Sequence, residues 1–111
     1  LRCETPPRPS TMSTEPTRPE IDSTPGLLVL EFGARWCPIC QAARGLIDAA
    51  LAGSTDVTHL WVEDGKGKPL GRSFKVKLWP TLVFLRDGKE VARVVRPREP
   101  GELDAALRVL R

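Results

Sequence analysis

The sequence predicts an α/β domain in which a central mixed sheet is flanked by helices. Residues 27–32 form a nearly continuous apolar run of strand length, which is typical of a strand covered on both faces. Apolar residues at helical spacing follow, so the domain opens with a strand and a helix. Near the end of the chain, Asp87 and Gly88 separate two strand-like runs, which is a strong hairpin signal. The predicted order is therefore βαβαββα, with a parallel start and an antiparallel finish.

Residues 1–26 differ in composition from the rest of the chain. They hold six of the eleven prolines, together with eight serines and threonines, and few large apolar side chains. Such a segment buries too little apolar surface to offset the entropy of ordering it. We therefore predict a disordered arm over 1–26 and one folded domain over 27–111. Met12 resembles a native start, with residues 1–11 left from cloning or from an upstream segment, and no signal-peptide pattern is visible.

The remaining elements follow from local patterns. Pro38 suits the first turn of a helix, where its missing N–H has no partner to lose, and the helical spacing continues to Gly53. A strand pattern covers 56–63, and one or two helical turns are predicted over 69–74. The last elements are two strands and a helix with one apolar face, over 81–86, 90–95 and 102–110.

Composition excludes several classes of protein. The 17 Lys and Arg exceed the 14 Asp and Glu by too little, and too evenly along the chain, for a nucleic-acid module. No apolar run approaches the roughly 18 residues of a membrane span. Three cysteines are too few for a disulfide-rich scaffold. We also expect no metal site. A zinc site needs four ligands, and beside the close cysteine pair only Cys3 and His59 are available.

That pair, Cys37 and Cys40, is the chemical signal of the sequence. It lies at the predicted strand-to-helix junction, with Pro38 and Ile39 between the thiols. A thiol just before a helix lies near unpaired backbone N–H groups and the positive end of the helix dipole, which favour the thiolate. Cys40 lies one turn further along, close enough to bridge Cys37. An exposed attacking thiol and a shielded resolving thiol are the arrangement needed to exchange disulfides.

Two stretches of the sequence resemble the thioredoxin family. Residues 30–40, which read Leu-Glu-Phe-Gly-Ala-Arg-Trp-Cys-Pro-Ile-Cys, are similar to its active-site strand and helix. Residues 79–81, Trp-Pro-Thr, are similar to its cis-proline loop and are likewise followed by a strand and a hairpin. The resemblance covers roughly residues 27–111. It implies a thioredoxin-like fold in which the first strand and helix of the family are shortened or absent.

The resemblance also implies catalytic roles. Cys37 would be the attacking thiolate and Cys40 the resolving thiol. Glu31 matches a buried acid that lies beneath the resolving cysteine in the family. Because burial disfavours the charged form of a carboxylate, Glu31 could take the proton from Cys40. His59 falls where the family usually has a lysine near that acid, so Glu31 and His59 are a candidate proton relay.

The same resemblance implies a substrate groove beside the dithiol. Pro80 would follow a cis peptide bond and face the two thiols. The backbone of Trp79 would pair with an extended substrate segment. Trp36, directly before the first cysteine, and Thr81, directly after Pro80, complete the expected substrate-binding set.

Some positions depart from the family pattern. Pro38-Ile39 stands where the family usually has Gly-Pro, Gly33 stands where it has a tryptophan, and Arg96 stands where a glycine is expected near the groove. Scattered cations usually form a solvated face, but several of them around the dithiol would favour the thiolate and acidic partners. The cations concerned are Arg35, Lys75, Lys77, Arg96 and Arg98.

The function implied by the resemblance is thiol–disulfide exchange on protein disulfides, with the chain acting as a monomeric reductant. It needs no organic cofactor, and its electrons would come from a reductase or a membrane donor. The cytoplasm is the expected compartment, with a periplasmic or secreted location open if a signal was removed. Two alternatives remain at this stage: a disulfide oxidase or isomerase in an oxidising compartment, and a non-catalytic adaptor whose dithiol tunes partner binding. Insulin-disulfide reduction and the redox potential distinguish them.

Overall fold

In the computed structural model, which describes residues 16–111, four strands form one mixed sheet with helices on both faces. In chain order the elements are α1 (Arg18–Asp22), β1 (Leu27–Gly33), α2 (Pro38–Ala52), β2 (Val57–Glu63), α3 (Pro69–Ser73), β3 (Thr81–Arg86), β4 (Lys89–Val95) and α4 (Pro100–Leu110). From β1 onward this is the predicted order, which confirms the fold class. No strand precedes β1 within residues 16–26.

The sheet has the strand order β2-β1-β3-β4. β1 pairs in parallel with β2 and in antiparallel with β3, which itself pairs in antiparallel with β4. The hairpin between β3 and β4 turns at Asp87 and Gly88, whose φ values are 52° and 84°. Positive φ at both central residues is what a type I′ turn requires, so the predicted hairpin is confirmed.

Alternation along β1 sends its side chains to two separate cores. Val29 packs with apolar residues of α2 and α4, such as Ile47 and Leu103. Leu28, Leu30 and Phe32 pack on the opposite face, which α1 and α3 cover. Because successive side chains of a strand point to opposite faces, Glu31 lies on the face of Val29, beneath α2. The fold thus places a carboxylate under the helix that carries the dithiol.

The helix α1 corrects the predicted extent of the disordered arm. Thr17 caps this helix, and its side chain and that of Glu20 form a reciprocal capping box. Ile21 is only 2% exposed and packs into the core that α1 and α3 cover. A single apolar residue is enough here because the sheet supplies the rest of the buried surface. The other part of the predicted arm, residues 1–15, lies outside the described residues, as does Cys3.

The helix α1 also docks on two other elements. The guanidinium of Arg18 lies 3.9 Å above the ring of Phe74 and donates a hydrogen bond to the Ser73 carbonyl. A Cβ at Gly88 would collide with the carbonyl oxygen of Asp22, so only glycine lets the hairpin turn approach the end of α1 this closely. These contacts tie α1 to both α3 and the β3–β4 turn.

The remaining differences from prediction are small. The last helix begins at Pro100 because the side chain of Glu102 accepts a hydrogen bond from the Glu99 N–H, which forms a capping box. The strand β4 begins at Lys89, directly after the turn. None of the helices described for this chain is long and apolar enough to cross a membrane.

Candidate active site

The two thiols lie at the junction between β1 and α2, at the first turn of the helix. Cys37 is the N-cap residue of α2, and its sulfur accepts a hydrogen bond from the backbone N–H of Cys40, with N and Sγ 3.4 Å apart. Both cysteines are free. Cys37 is 6% exposed and Cys40 is 2% exposed, and both pack with Ala34 and Trp79. Cys37 is therefore less accessible than the sequence predicts, because the Trp79 ring packs against this cluster.

The two thiols ionise differently. Desolvation raises the pKa of the Cys37 thiol, but hydrogen bonds from Cys40 and Ile39 and the charge of Arg96 outweigh it, so the pKa lies below its usual value. The pKa of Cys40 is raised to about 11, chiefly by desolvation, with the charges of Cys37 and Glu31 also contributing. Deprotonation at this helix end therefore starts with Cys37.

Glu31 is buried beneath the dithiol and meets two basic side chains. It is 0% exposed, and its Oε1 lies 2.7 Å from Nε2 of His59. Its Oε2 has no hydrogen-bond partner and lies 3.6 Å from a terminal nitrogen of Arg44 on α2. The expected proximity of Glu31 and His59 is present. Arg44 is an addition that turns the expected pair into a cluster of three.

Parallel pairing of β1 with β2 also brings the indole ring of Trp61 next to the cluster of Glu31, His59 and Arg44. Trp61 pairs with Glu31 in the register, and the guanidinium of Arg44 lies 5.1 Å from its ring centroid. A Cβ at Gly33 would lie 2.8 Å from the sulfur of Cys40 and 3.0 Å from Cη2 of Trp61. Glycine at 33 therefore leaves the space that the thiol and the indole ring share.

The loop before β3 faces the dithiol from the other side. The peptide bond between Trp79 and Pro80 is cis, as the resemblance to the thioredoxin family implies. The indole N–H of Trp79 donates to the carboxylate of Asp64 over 2.8 Å. The Trp79 ring meets that of Trp36 edge to face, with centroids 5.6 Å apart, and Trp36 is 70% exposed. The two indoles form an apolar rim next to the thiols.

Thr81, predicted to contact substrate, faces the interior instead. It is 1% exposed, and its hydroxyl donates to the Leu78 carbonyl over 2.6 Å. The Nε–H of Arg96 donates to the Trp79 carbonyl over 2.9 Å, and its backbone N–H donates to the Pro80 carbonyl. Thr81 and Arg96 therefore hold the cis-proline loop from two sides.

Sequence reasoning missed three contributors to the site, which are Arg44, Trp61 and Asp64. Arg44 could have been found, because it follows Cys40 by four residues on α2 and so shares its face. The contacts of Trp61 and Asp64 depend on the pairing of β2 with β1 and on the packing of the Trp79 loop against Asp64. A local sequence pattern predicts neither of these. No group of three or more metal-binding side chains occurs within residues 16–111.

Comparison with known proteins gives a consistent picture. The family model described as Thioredoxin matches residues 10–109. Thioredoxin H2-1 of Oryza sativa subsp. japonica is 32% identical over 89 residues, which cover 80% of this chain and 64% of that protein. The thioredoxin of Chlamydia trachomatis is 32% identical over 78 residues, or 70% of this chain and 76% of that protein. The match thus spans slightly less than two thirds of the rice protein.

Solved structures are similar as well. Thioredoxin 2 from Pseudomonas aeruginosa PAO1, in its reduced form, is 54% identical with a TM-score of 0.77, covering 86% of this chain and 88% of that one. Thioredoxin NaTrxh from Nicotiana alata is 30% identical with a TM-score of 0.71, covering 85% of this chain and 81% of that one.

Proposed function

This chain belongs to the thioredoxin family of thiol–disulfide oxidoreductases, and on that premise we propose that it reduces disulfides in protein substrates. The observation that carries the proposal is the unequal ionisation of the dithiol. Cys37 has a lowered pKa at the start of α2, whereas the pKa of Cys40 is raised to about 11 above a buried carboxylate. A reductant needs one thiol ready to attack and one held back until a mixed disulfide has formed.

In the first step, the Cys37 thiolate attacks one sulfur of a substrate disulfide. The substrate S–S bond breaks as the bond to Cys37 forms, and one substrate sulfur leaves as a thiolate. The hydrogen bonds to Cys37 and the charge of Arg96 lower the pKa of this thiol and so increase the fraction present as thiolate.

In the second step, Cys40 attacks the Cys37 sulfur and releases the other substrate thiolate. Cys40 must first lose its proton, and its raised pKa makes this unfavourable at neutral pH. Glu31 accepts the proton, and His59, 2.7 Å away, passes it towards solvent because its side chain is 26% exposed. After the second step, the chain holds a disulfide between Cys37 and Cys40, and the substrate has gained two electrons.

The apolar rim positions the substrate for these steps. Trp36, at 70% exposed, and the ring of Trp79 offer apolar surface next to Cys37. The backbone of Trp79 pairs with an extended substrate segment, since its carbonyl has a second lone pair beside the one that Arg96 uses. Pro80 faces the dithiol, and Thr81 keeps this loop in shape from inside.

The disulfide is then reduced again by an electron donor, which we propose to be a reductase or a membrane donor. A reductant must work where thiols stay reduced, so the proposal places the chain in the cytoplasm, acting as a monomer.

The test is reduction of insulin by the protein with dithiothreitol as electron source, combined with equilibration against glutathione to obtain the redox potential. We expect catalysed insulin reduction and a potential more reducing than the glutathione pool, which lies at about −220 to −260 mV by extraction. A double Cys37→Ser, Cys40→Ser variant provides the blank. Absence of catalysis would indicate an adaptor. A redox potential clearly less negative than that of the glutathione pool would indicate an oxidase or isomerase.

A further inference from the structure

An open groove leads away from the dithiol along α2. It has a volume of about 560 Å³. Its floor is apolar and partly exposed, and is formed by Pro38, Ile39, Ala42 and Leu46. Its opposite wall is the segment after β4, where Arg96 and Arg98 stand on either side of the buried Pro97. The groove thus combines an apolar side with a cationic side, and it begins at the residue after Cys37.

Arg96 is held at the end of the groove nearest to Cys37. Its φ is 51°, a conformation that is unfavourable for a residue with a side chain. The side chain is fixed by one hydrogen bond, from Nε to the Trp79 carbonyl, which leaves the two terminal nitrogens of the guanidinium for other partners. Arg96 therefore places a positive charge near the reacting thiol, with terminal N–H groups that can bind an anionic group.

Within the described part of the chain, the guanidinium groups on this wall form no close ion pair, although Glu102 lies near Arg98: the backbone N–H groups of Arg98 and Glu99, and also the Arg98 charge, lower the pKa of that carboxyl. Neither Arg96 nor Arg98 forms an ion pair with a carboxylate of residues 16–111. By contrast, Arg44, Arg93 and Arg111 each have a carboxylate partner. Two unpaired guanidinium groups along one side of a groove attract a segment of opposite charge.

We propose that this groove selects protein disulfides whose flanking segment carries an acidic side chain, which Arg96 and Arg98 bind, while apolar side chains lie on the α2 floor. The inference rests on the proposed function, because the substrate must reach Cys37. From Pro38 to Leu46 the helix advances about 12 Å, the length of about four residues of extended chain. The acidic residue is therefore expected within about four residues of the substrate cysteine.

The experiment compares three cystine peptides that differ at one position, two residues from the cysteine, occupied by Glu, Gln or Lys. Each is mixed with the pre-reduced full chain, and the released peptide thiol is followed in a single turnover. We expect the Glu peptide to react about tenfold faster than the Lys peptide at low ionic strength, with the preference shrinking as salt is added. Loss of a rim charge should act chiefly on association.

Variants assign the preference to the groove. In the Arg96→Gln, Arg98→Gln double variant, the Glu and Lys peptides should react at rates within about twofold of each other. Arg108→Gln removes one positive charge, as Arg98→Gln does, from an exposed position near the end of α4 and should keep the wild-type ratio. Any change in Cys37 ionisation caused by losing Arg96 affects all three peptides equally, so it cancels in the ratio. Arg98→Gln alone, which leaves the Trp79 loop intact, should show an intermediate ratio.

The outcomes separate the inference from the function on which it rests. Equal rates for the three peptides in the wild-type chain would overturn the selectivity while leaving the reductase activity in place. A preference that persists in the double variant would assign it to charges elsewhere on the chain and would overturn the role of the groove. Failure to reduce any of the peptides or insulin would overturn the proposed function itself.

Discussion

Cys37 and Cys40 lie in the same turn of α2, yet their surroundings have opposite electrical character. Cys37 faces the cis-proline loop, with backbone N–H groups and the guanidinium of Arg96 nearby. Cys40 faces the sheet, where the carboxylate of Glu31 lies beneath it. The positive surroundings favour a thiolate at Cys37, and the negative surroundings oppose one at Cys40.

Surface exposure by itself does not separate the two thiols, which are 6% and 2% exposed. At Cys37, desolvation raises the pKa, but the hydrogen bonds from Cys40 and Ile39, together with the charge of Arg96, outweigh it. At Cys40, desolvation is the largest cause of the raised pKa, and the charges of Cys37 and Glu31 add to it. Hydrogen bonds at the start of α2 and desolvation beneath it therefore set the order of ionisation, and the neighbouring charges act in the same direction.

The largest effect should come from exchanging each thiol for a hydroxyl. On a Cys3→Ser background, which leaves the pair as the only thiols, Cys37→Ser should lower insulin reduction by roughly 1,000-fold or more, as loss of a covalent nucleophile does. Cys40→Ser should also stop turnover, but only after the first attack. It should therefore accumulate mixed disulfides with substrate, which non-reducing electrophoresis detects. Equal trapping by both variants would mean that the surroundings do not distinguish the thiols.

The second effect concerns alkylation of the reduced chain as a function of pH. Only thiolates react, so each rate rises with pH until the thiol is fully ionised. The midpoint of the Cys37 profile should lie below the usual cysteine pKa, whereas the midpoint of the Cys40 profile should lie at about 11. Near neutral pH this predicts a preference for Cys37 of more than about 100-fold. Iodoacetamide labelling followed by peptide mapping measures both sites, and faster labelling of Cys40 would reverse the assignment.

The third effect tests the carboxylate on the Cys40 side. Glu31→Gln keeps the shape and removes the base, so resolution of a preformed mixed disulfide should slow by about 100-fold, the low end for a general base. The deficit should shrink as pH rises, because Cys40 then ionises without help. Removing the charge of Glu31 also lowers the pKa of Cys40, which opposes part of the loss. Stopped-flow measurement of the resolution step checks this.

Asp104→Asn is the matched control for that experiment, since it removes a carboxylate from an exposed position on α4. Its resolution rate should equal that of the wild-type chain at every pH. A Glu31→Gln chain that resolves as fast as this control would show that the buried carboxylate takes no part in proton transfer.

Much of the fold could be predicted because its signals are local. The apolar run of β1, the Asp87-Gly88 turn and the apolar face of α4 each reflect a period or a turn type that neighbouring residues set. The helix α1 is not predicted, because the Pro, Ser and Thr content of residues 1–26 indicates disorder and conceals a short helix-capping motif within that segment. Thr17 and Glu20 stand three residues apart, which is the capping-box spacing, and Ile21 was the apolar residue available for docking.

The site divides in the same way. The cysteine pair and Pro80 lie in contiguous motifs, so the sequence reveals them. The ion pair of Arg44 with Glu31 and the hydrogen bond of Trp79 to Asp64 join residues of different elements, so they depend on packing. Thr81 shows the converse, because a position next to a motif does not determine which way its side chain turns.

The smallest effect tests the space behind Cys40. A Cβ at Gly33 would lie 2.8 Å from the Cys40 sulfur and 3.0 Å from the Trp61 ring, so one of them must move. Gly33→Ala should lower the free energy of unfolding by about 1–3 kcal/mol, the usual cost of overpacking. It should also change the alkylation profile of Cys40 more than that of Cys37, because the added methyl group crowds the Cys40 sulfur.

Gly45→Ala is its control, because a Cβ there meets nothing within 4 Å and Gly45 lies inside α2. That variant should gain about 0.5–1 kcal/mol from helix propensity and should leave both thiols unchanged. Urea denaturation of the reduced chains measures the two variants side by side. If Gly33→Ala were as stable as Gly45→Ala, the Cys40 side chain and the Trp61 ring would have to make room without cost, and crowding behind Cys40 would no longer distinguish the two sides of the dithiol.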